Sequence, residues 1–134
     1  MNKKDLLTVG YSTFGNRLAN IKYLDSVSNL VVIQNPNSES LPATDSAVKR
    51  VELKSRGVAK SRNAVIENTI TEYLLFGDDD IEFKEESINS AITYLESNPD
   101  ISILLLQAVD ETGTLRKPYP KHAHVLKLRN SAKA

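Results

Sequence analysis

Short apolar runs with abrupt polar stops set the tightest limit on what this chain can fold into. Leu30-Val31-Val32-Ile33 is β-branched, unbroken and followed at once by Gln34-Asn35-Pro36-Asn37-Ser38. An unbroken run of that length suits a strand buried on both faces rather than one with a wet side. Leu6-Leu7-Thr8-Val9 ends at Gly10, Tyr73-Leu74-Leu75-Phe76 ends at Gly77 and three aspartates, and Ile101 to Gln107 ends before Asp110-Glu111-Thr112-Gly113, a turn sequence. Ala47 to Leu53 predicts a further, shorter strand. Helical spacing lies between these runs. Leu18, Ile21 and Leu24 predict a short helix over 16–24, and Val58, Val65, Ile66 and Ile70 predict the core face of a helix over 57–70. Ile88, Ala91, Ile92 and Leu95 predict a helix over 84–98 that Asn98-Pro99 closes. Alternating strands and helices predict an α/β fold, a mostly parallel sheet with helices on both faces. Ligands of such sheets bind beyond the carboxyl ends of the strands, here the loops after Val9, Ile33 and Phe76.

The chain of 134 residues carries 17 basic and 17 acidic side chains, so its formal charge is zero. By position the charges are sorted. Lys49 to Arg62 holds six bases and one acid, Glu52, and Glu72 to Glu111 holds eleven acids and one base, Lys84. Beyond Glu111 there are six Lys or Arg and no acid. A basic block followed by an acidic block suits a phosphate with its metal, and also suits separate solvated faces. The balanced charge argues against a nucleic-acid partner. With no cysteine, disulfide scaffolds and thiolate chemistry are excluded. No run approaches the roughly 20 apolar residues of a membrane span, and the first residues lack an apolar leader core. The expected location is cytoplasmic.

Asp78-Asp79-Asp80 is the sharpest local feature. Three adjacent carboxylates repel one another, and a cation placed among them relieves the repulsion. Magnesium and manganese take oxygen ligands and complete their shells with substrate phosphates. An acidic turn that caps the following helix is the plainer alternative. Arg56, Lys60 and Arg62 surround the start of the preceding helix, where an anion would offset their unfavourable interaction with the helix dipole. The segment is neither a GxxxxGK[ST] loop nor a GxGxxG turn. His122 and His124 would share one face of a strand as a metal pair, or stand exposed in a polar tail.

The order of these features resembles the amino-terminal half of a family-two glycosyltransferase of the GT-A fold. Gly57, Arg62, Asn63 and Ile66 match a "G-x-x-x-x-R-N-x-x-I" helix, and Asp78 to Asp80 match the DxD motif that follows it. The resemblance runs from about Leu6 to about Leu106. It implies a three-layer, Rossmann-like GT-A sheet, truncated, with 1–134 a single nucleotide-sugar-binding domain and 114–134 a basic tail. It also implies a nucleotide-diphosphate sugar as partner and manganese or magnesium as cofactor. Carried over by position, Asp78 and Asp80 would serve the metal, with Asp78 near the ribose or sugar and Asp79, between them, also among the nucleotide-sugar-binding residues. Ser12, Thr13 and Arg17 would surround the nucleoside, and Arg62 would hold the base or diphosphate beside Arg56 and Lys60. Gln34 occupies the place where many members carry an acid that contacts the base.

Inverting transfer needs a base to deprotonate the acceptor. The family supplies it as an Asp or Glu well beyond the DxD, where this chain has no acid after Glu111. The expectation is therefore a donor-binding half without an assigned catalytic residue. Two other functions compete. A nucleotidyltransferase shares the metal–phosphate logic but would carry a richer Gly–Lys loop than Gly10 to Gly15. A receiver-like partner-binding domain would need acids after its first strand, and Asp5 precedes it. The tail from Arg116 to Lys133 admits a peripheral contact with an anionic membrane.

Overall fold

The computed structural model describes residues 2–115. Its elements are α1 (Lys3–Leu6), β1 (Leu7–Phe14), a 3-10 helix (Gly15–Asn20), β2 (Ser28–Gln34), β3 (Lys49–Leu53), α2 (Val58–Glu67), β4 (Tyr73–Asp78) and α3 (Glu85–Ser97). The chain divides into two compact units after Ser90. The basic tail from Arg116 onward, with His122 and His124, lies outside the described residues. No described helix is long and apolar enough to cross a membrane.

The four strands form one all-parallel sheet in the order β3-β2-β1-β4, as the unbroken apolar runs predict. Val9, Tyr11, Val31, Val32 and Ile33 are wholly buried at its centre. Each such aliphatic side chain contributes roughly 1.5–3 kcal/mol relative to exposure. Side chains alternate along a strand, so Gly10, Ser12 and Phe14 share one face of β1, and Val9, Tyr11 and Thr13 share the other. On the first face α2 packs through Ala64 and Val65 against Leu30 and Val32, flanked by Val51, Leu53 and Leu74. On the second, Tyr11 meets Tyr23 edge-on with ring centroids 5.3 Å apart, and Phe83 at 6.2 Å.

Several boundaries differ from those the sequence predicts. β1 does not end at Gly10 but runs on to Phe14. Gly10 is where α2 comes closest: a Cβ there would lie 2.3 Å from Val65 Cγ1. The glycine marks a close approach rather than a stop. β4 likewise passes through Gly77 to Asp78. The helix predicted over 16–24 is a 3-10 helix of six residues, and the three-residue spacing of Leu18 and Ile21 is the 3-10 period. α2 ends at Glu67 instead of Ile70 because Asn68 Nδ2 donates to the Ala64 carbonyl and Thr69 Oγ1 to that of Val65. Side chains thereby take over the terminal carbonyls.

The predicted core face of α2 holds only at Val65. Val58, Ile66 and Ile70 are exposed, and Ser61 and Ala64 are the other buried residues. In α3 only Ile88 is buried, while Ala91, Ile92 and Leu95 are half-buried. Ile101 to Gln107 forms no strand, and Ile103 and Leu105 are exposed. A short apolar run does not by itself fix a strand, which also needs an edge to pair with. The predicted turn after it is present. Asp110 Oδ1 accepts from the backbone amides of Thr112 and Thr114, beside an antiparallel bridge between Val109 and Leu115.

Two outcomes follow from this packing. Gly10→Ala should destabilise the fold by about 1–3 kcal/mol through overpacking against Val65, and adding Val65→Ala should recover part of the loss. Urea unfolding checks this, and a Gly10→Ala midpoint equal to that of the unaltered chain would contradict it. Burial, with Tyr23 adding to it, pushes the Tyr11 hydroxyl up to about 12 from 10.0. The folded state thus holds this proton more tightly than the unfolded chain does. Its contribution is complete below pH 10 and lost as pH rises toward about 12. Tyr11→Phe should flatten that alkaline loss in a stability–pH series.

Candidate functional site

The strand order places a topological switch point at β1. The chain leaves β1 toward β2 and β3 and then crosses back to place β4 on the other side of β1. The crevice beyond the carboxyl ends of strands at such a reversal is the usual ligand position of an open parallel sheet. Phe14 ends β1 and Asp78 ends β4, so this crevice brings Ser12, Thr13 and Arg17 together with the Asp78–Asp80 turn.

The three aspartates separate by burial. Asp79 is buried, whereas Asp78 and Asp80 on either side of it are exposed. Thr13 Oγ1 donates to Asp79 Oδ2 at 2.7 Å, and Arg17 Nη2 donates to Oδ1 at 2.7 Å. The two carboxylate oxygens thus have one neutral and one charged donor, the charge-assisted bond being the stronger type. Only 4 % of the Asp79 side chain is exposed, against 62 % of Arg17, so the guanidinium seals the carboxylate from outside. Asp78 stands opposite Ser12 in the ladder and shares its face, and the amide of Ile81 donates to the Asp78 carbonyl to close the turn. The turn does not cap α3, which begins at Glu85.

The opposite face of the sheet gathers a second group. Gln34 stands opposite Phe14 in the β1–β2 ladder. Its Oε1 accepts from the backbone amide of Gly57 at 2.8 Å, tying the end of β2 to the start of α2. Gly57 has φ 126°, a conformation that disfavours any residue with a side chain. Beside it the Arg56 guanidinium lies 5.4 Å from the centre of the Phe14 ring. Lys60 and Arg62 are exposed on α2 and make no hydrogen bond or ion pair among the described residues. No side chain caps the helix start, and its first turn holds no acid. The positive end of the helix dipole and three cations therefore occupy one stretch of chain.

No three acidic or histidine side chains converge as a metal cage among the described residues. Asp78 and Asp80 offer hard oxygen donors, and two such carboxylates fit a cation that takes its remaining ligands from phosphate and water. A separate open pocket of about 160 Å³ lies beside the loop after β2, lined by Asn35, Ser38, Glu39, Glu52, Leu53 and Lys54. It includes none of the switch-point residues.

The four-stranded all-parallel sheet with its helices is that of an α/β, Rossmann-like fragment of the GT-A type. The chain belongs to glycosyl transferase family 2, whose family model matches residues 30–133. No curated protein and no solved structure matches it. The matched stretch includes Gln34, Arg56, Lys60, Arg62 and Asp78 to Asp80. Ser12, Thr13 and Arg17 precede it and join the group through the fold.

Sequence reasoning missed two residues of this region. Phe14 is 38 % exposed at a strand end, and the odd–even alternation of β1 was the available signal, since it sets Phe14 opposite in facing to Thr13. Asn35 is buried and organises the loop after β2, accepting from the Glu39 amide and donating to the Glu39 carbonyl. The Phe14–Arg56 contact is measurable as a coupling. A double-mutant cycle of Phe14→Leu and Arg56→Ala should give about 0.5–1 kcal/mol in urea unfolding. Strict additivity would show that the guanidinium does not rest on the ring.

Proposed function

We propose that the switch-point crevice binds a nucleotide-diphosphate sugar together with a divalent cation, and that the chain serves transfer of the sugar to an acceptor. The observation that carries this reading is the division of the aspartate triplet. Its middle carboxylate is paired with Arg17 and buried, and its outer two are left exposed, Asp78 at the last position of β4 and Asp80 just past it. Membership in glycosyl transferase family 2 favours glycosyl transfer over nucleotidyl transfer or phosphate reception.

In this reading Asp78 and Asp80 hold manganese or magnesium. When bound, the cation offsets the charge that develops on the diphosphate as it leaves. The chain's own groups do the rest. Ser12, Thr13 and Arg17 border the nucleoside side of the crevice. Arg56, Lys60 and Arg62 bring cations and the start of α2 toward the phosphates, where arginine forks and backbone amides match phosphate oxygens. Gln34 has its Oε1 engaged by Gly57, so its amide nitrogen is the group free to meet a base. The cysteine-free sequence is compatible with a reducing cytoplasm, and that location belongs to the same reading.

Calorimetric titration of UDP, GDP, ADP and CDP with and without manganese tests the proposal. At least one should bind with metal-dependent heat. Asp80→Asn should weaken that metal-dependent binding by roughly tenfold or more while leaving the thermal midpoint in place. A panel that shows no metal-dependent heat would overturn the reading.

A further inference from the structure

The β1–β4 ladder has its last rung at Ser12 and Asp78. One residue further on, the Thr13 hydroxyl reaches the Asp79 carboxylate and adds a side-chain rung where the backbone ladder has stopped. β4 is an edge strand of the sheet, so the turn that follows it has strand support from β1 alone. Strand ends held on one side fray more readily than central ones. The Thr13–Asp79 bond and the Arg17 pair are the side-chain contacts that hold the turn down at this point. Immediately before it, Gly77 lets the backbone settle on the Tyr11 ring and Phe83: a Cβ there would fall 2.9 Å from Phe83 Cε2 and 3.1 Å from Tyr11 Cδ1.

The charge arrangement matters as much as the tether. Three ionised carboxylates on consecutive residues would push one another apart. Arg17 pairs with the middle one, and burial turns it away from the exposed side. Asp78 and Asp80 are left as the exposed pair, with a neutralised neighbour between them. Arginine carries five N–H donors, and with the Arg17 side chain 62 % exposed its guanidinium retains donors after it has engaged Asp79.

We propose that Asp79 is a positioning residue: clamped by Thr13 and Arg17, it fixes the acidic turn so that Asp78 and Asp80 meet a divalent cation, without itself touching cation or nucleotide. This rests on the donor-site reading above and deepens it. Thr13 is the buried anchor of the clamp and Arg17 its outer half. The middle aspartate therefore acts through its two neighbours, and its loss should be felt in cation affinity rather than in nucleotide affinity.

The test uses the full chain and a hydroxyl deletion at one buried position. Thr13→Val keeps the shape and removes the donor, Thr13→Ser restores it, and Asp79→Asn removes the charge. Two quantities are read for each: manganese affinity by electron paramagnetic resonance at saturating nucleoside diphosphate, and affinity for the same diphosphate without metal. Amide hydrogen exchange at residues 79–81 reports the clamp directly. Thr13→Val and Asp79→Asn should weaken manganese binding by roughly 10-fold or more and speed exchange in the turn, and Asp79→Asn should leave metal-free affinity within about twofold. Thr13→Ser should return manganese affinity and amide exchange to the unaltered values. If Thr13→Val fails to fold, Arg17→Gln, at an exposed position, opens the clamp from outside and should weaken manganese binding in the same way. Unchanged manganese affinity in the variants would overturn the positioning role while leaving the donor site standing. Equal losses of metal-dependent and metal-free binding in Asp79→Asn would also overturn it, as a general structural effect. If the unaltered chain binds no manganese with any of the four diphosphates, the donor-site reading itself falls and takes the positioning role with it.

Discussion

The seat of α2 on the central strand governs this molecule. A strand flanked by β2 and β4 must bury both faces, and β1 does so with opposite solutions on its two sides. On one face Gly10 offers no side chain, so Val65 of α2 lies almost against the backbone. On the other, Tyr11 fills the space with the largest buried ring of the core. The helix can sit close only because the glycine is there, and its closeness brings Gly57 within reach of Gln34 and Arg56 within reach of Phe14. A packing contact in the middle of the strand thus sets the position of charged groups at its end.

The same alternation splits the functional edge in two. Residues of one parity, Thr13 and Asp79, turn toward Arg17 and are buried and paired. Those of the other parity, Ser12 and Asp78, share the α2 side, where Arg56 belongs. The edge therefore has a rigid half made of internal hydrogen bonds and an open half made of exposed charges. A polyanion with its cation would meet the open half, and the rigid half would hold the geometry still.

The four strands and their parallel pairing were legible because buried strands leave contiguous apolar runs, although the run from Ile101 to Gln107 forms no strand. The position of the aspartate triplet at the end of β4 was legible for the same reason. Element ends were less so. Gly10 and Gly77 read as stops, yet they permit contact, and only the neighbour across the space distinguishes the two roles. Val58, Ile66 and Ile70 read as a core face because hydrophobicity says nothing of which side a sheet approaches from, and Ser61 took the buried place instead. The site residues were visible as types. Which of the three aspartates was spoken for could not be seen, because Thr13 and Asp79 lie 66 positions apart and meet only through the register of β1 and β4.

The aromatic packing behind the site has an optical consequence. The chain contains five tyrosines and no tryptophan, so tyrosine dominates its near-ultraviolet signal. Tyr11 is wholly buried, in contact with Tyr23 and Phe83, and its ring lies directly behind Gly77, two residues before Asp79. A ring so placed in an asymmetric, immobile setting gives circular dichroism that depends on the backbone it rests against. The protein therefore carries a built-in chromophore at the root of its acidic turn, and shifts of that turn can be followed spectroscopically without attaching a label.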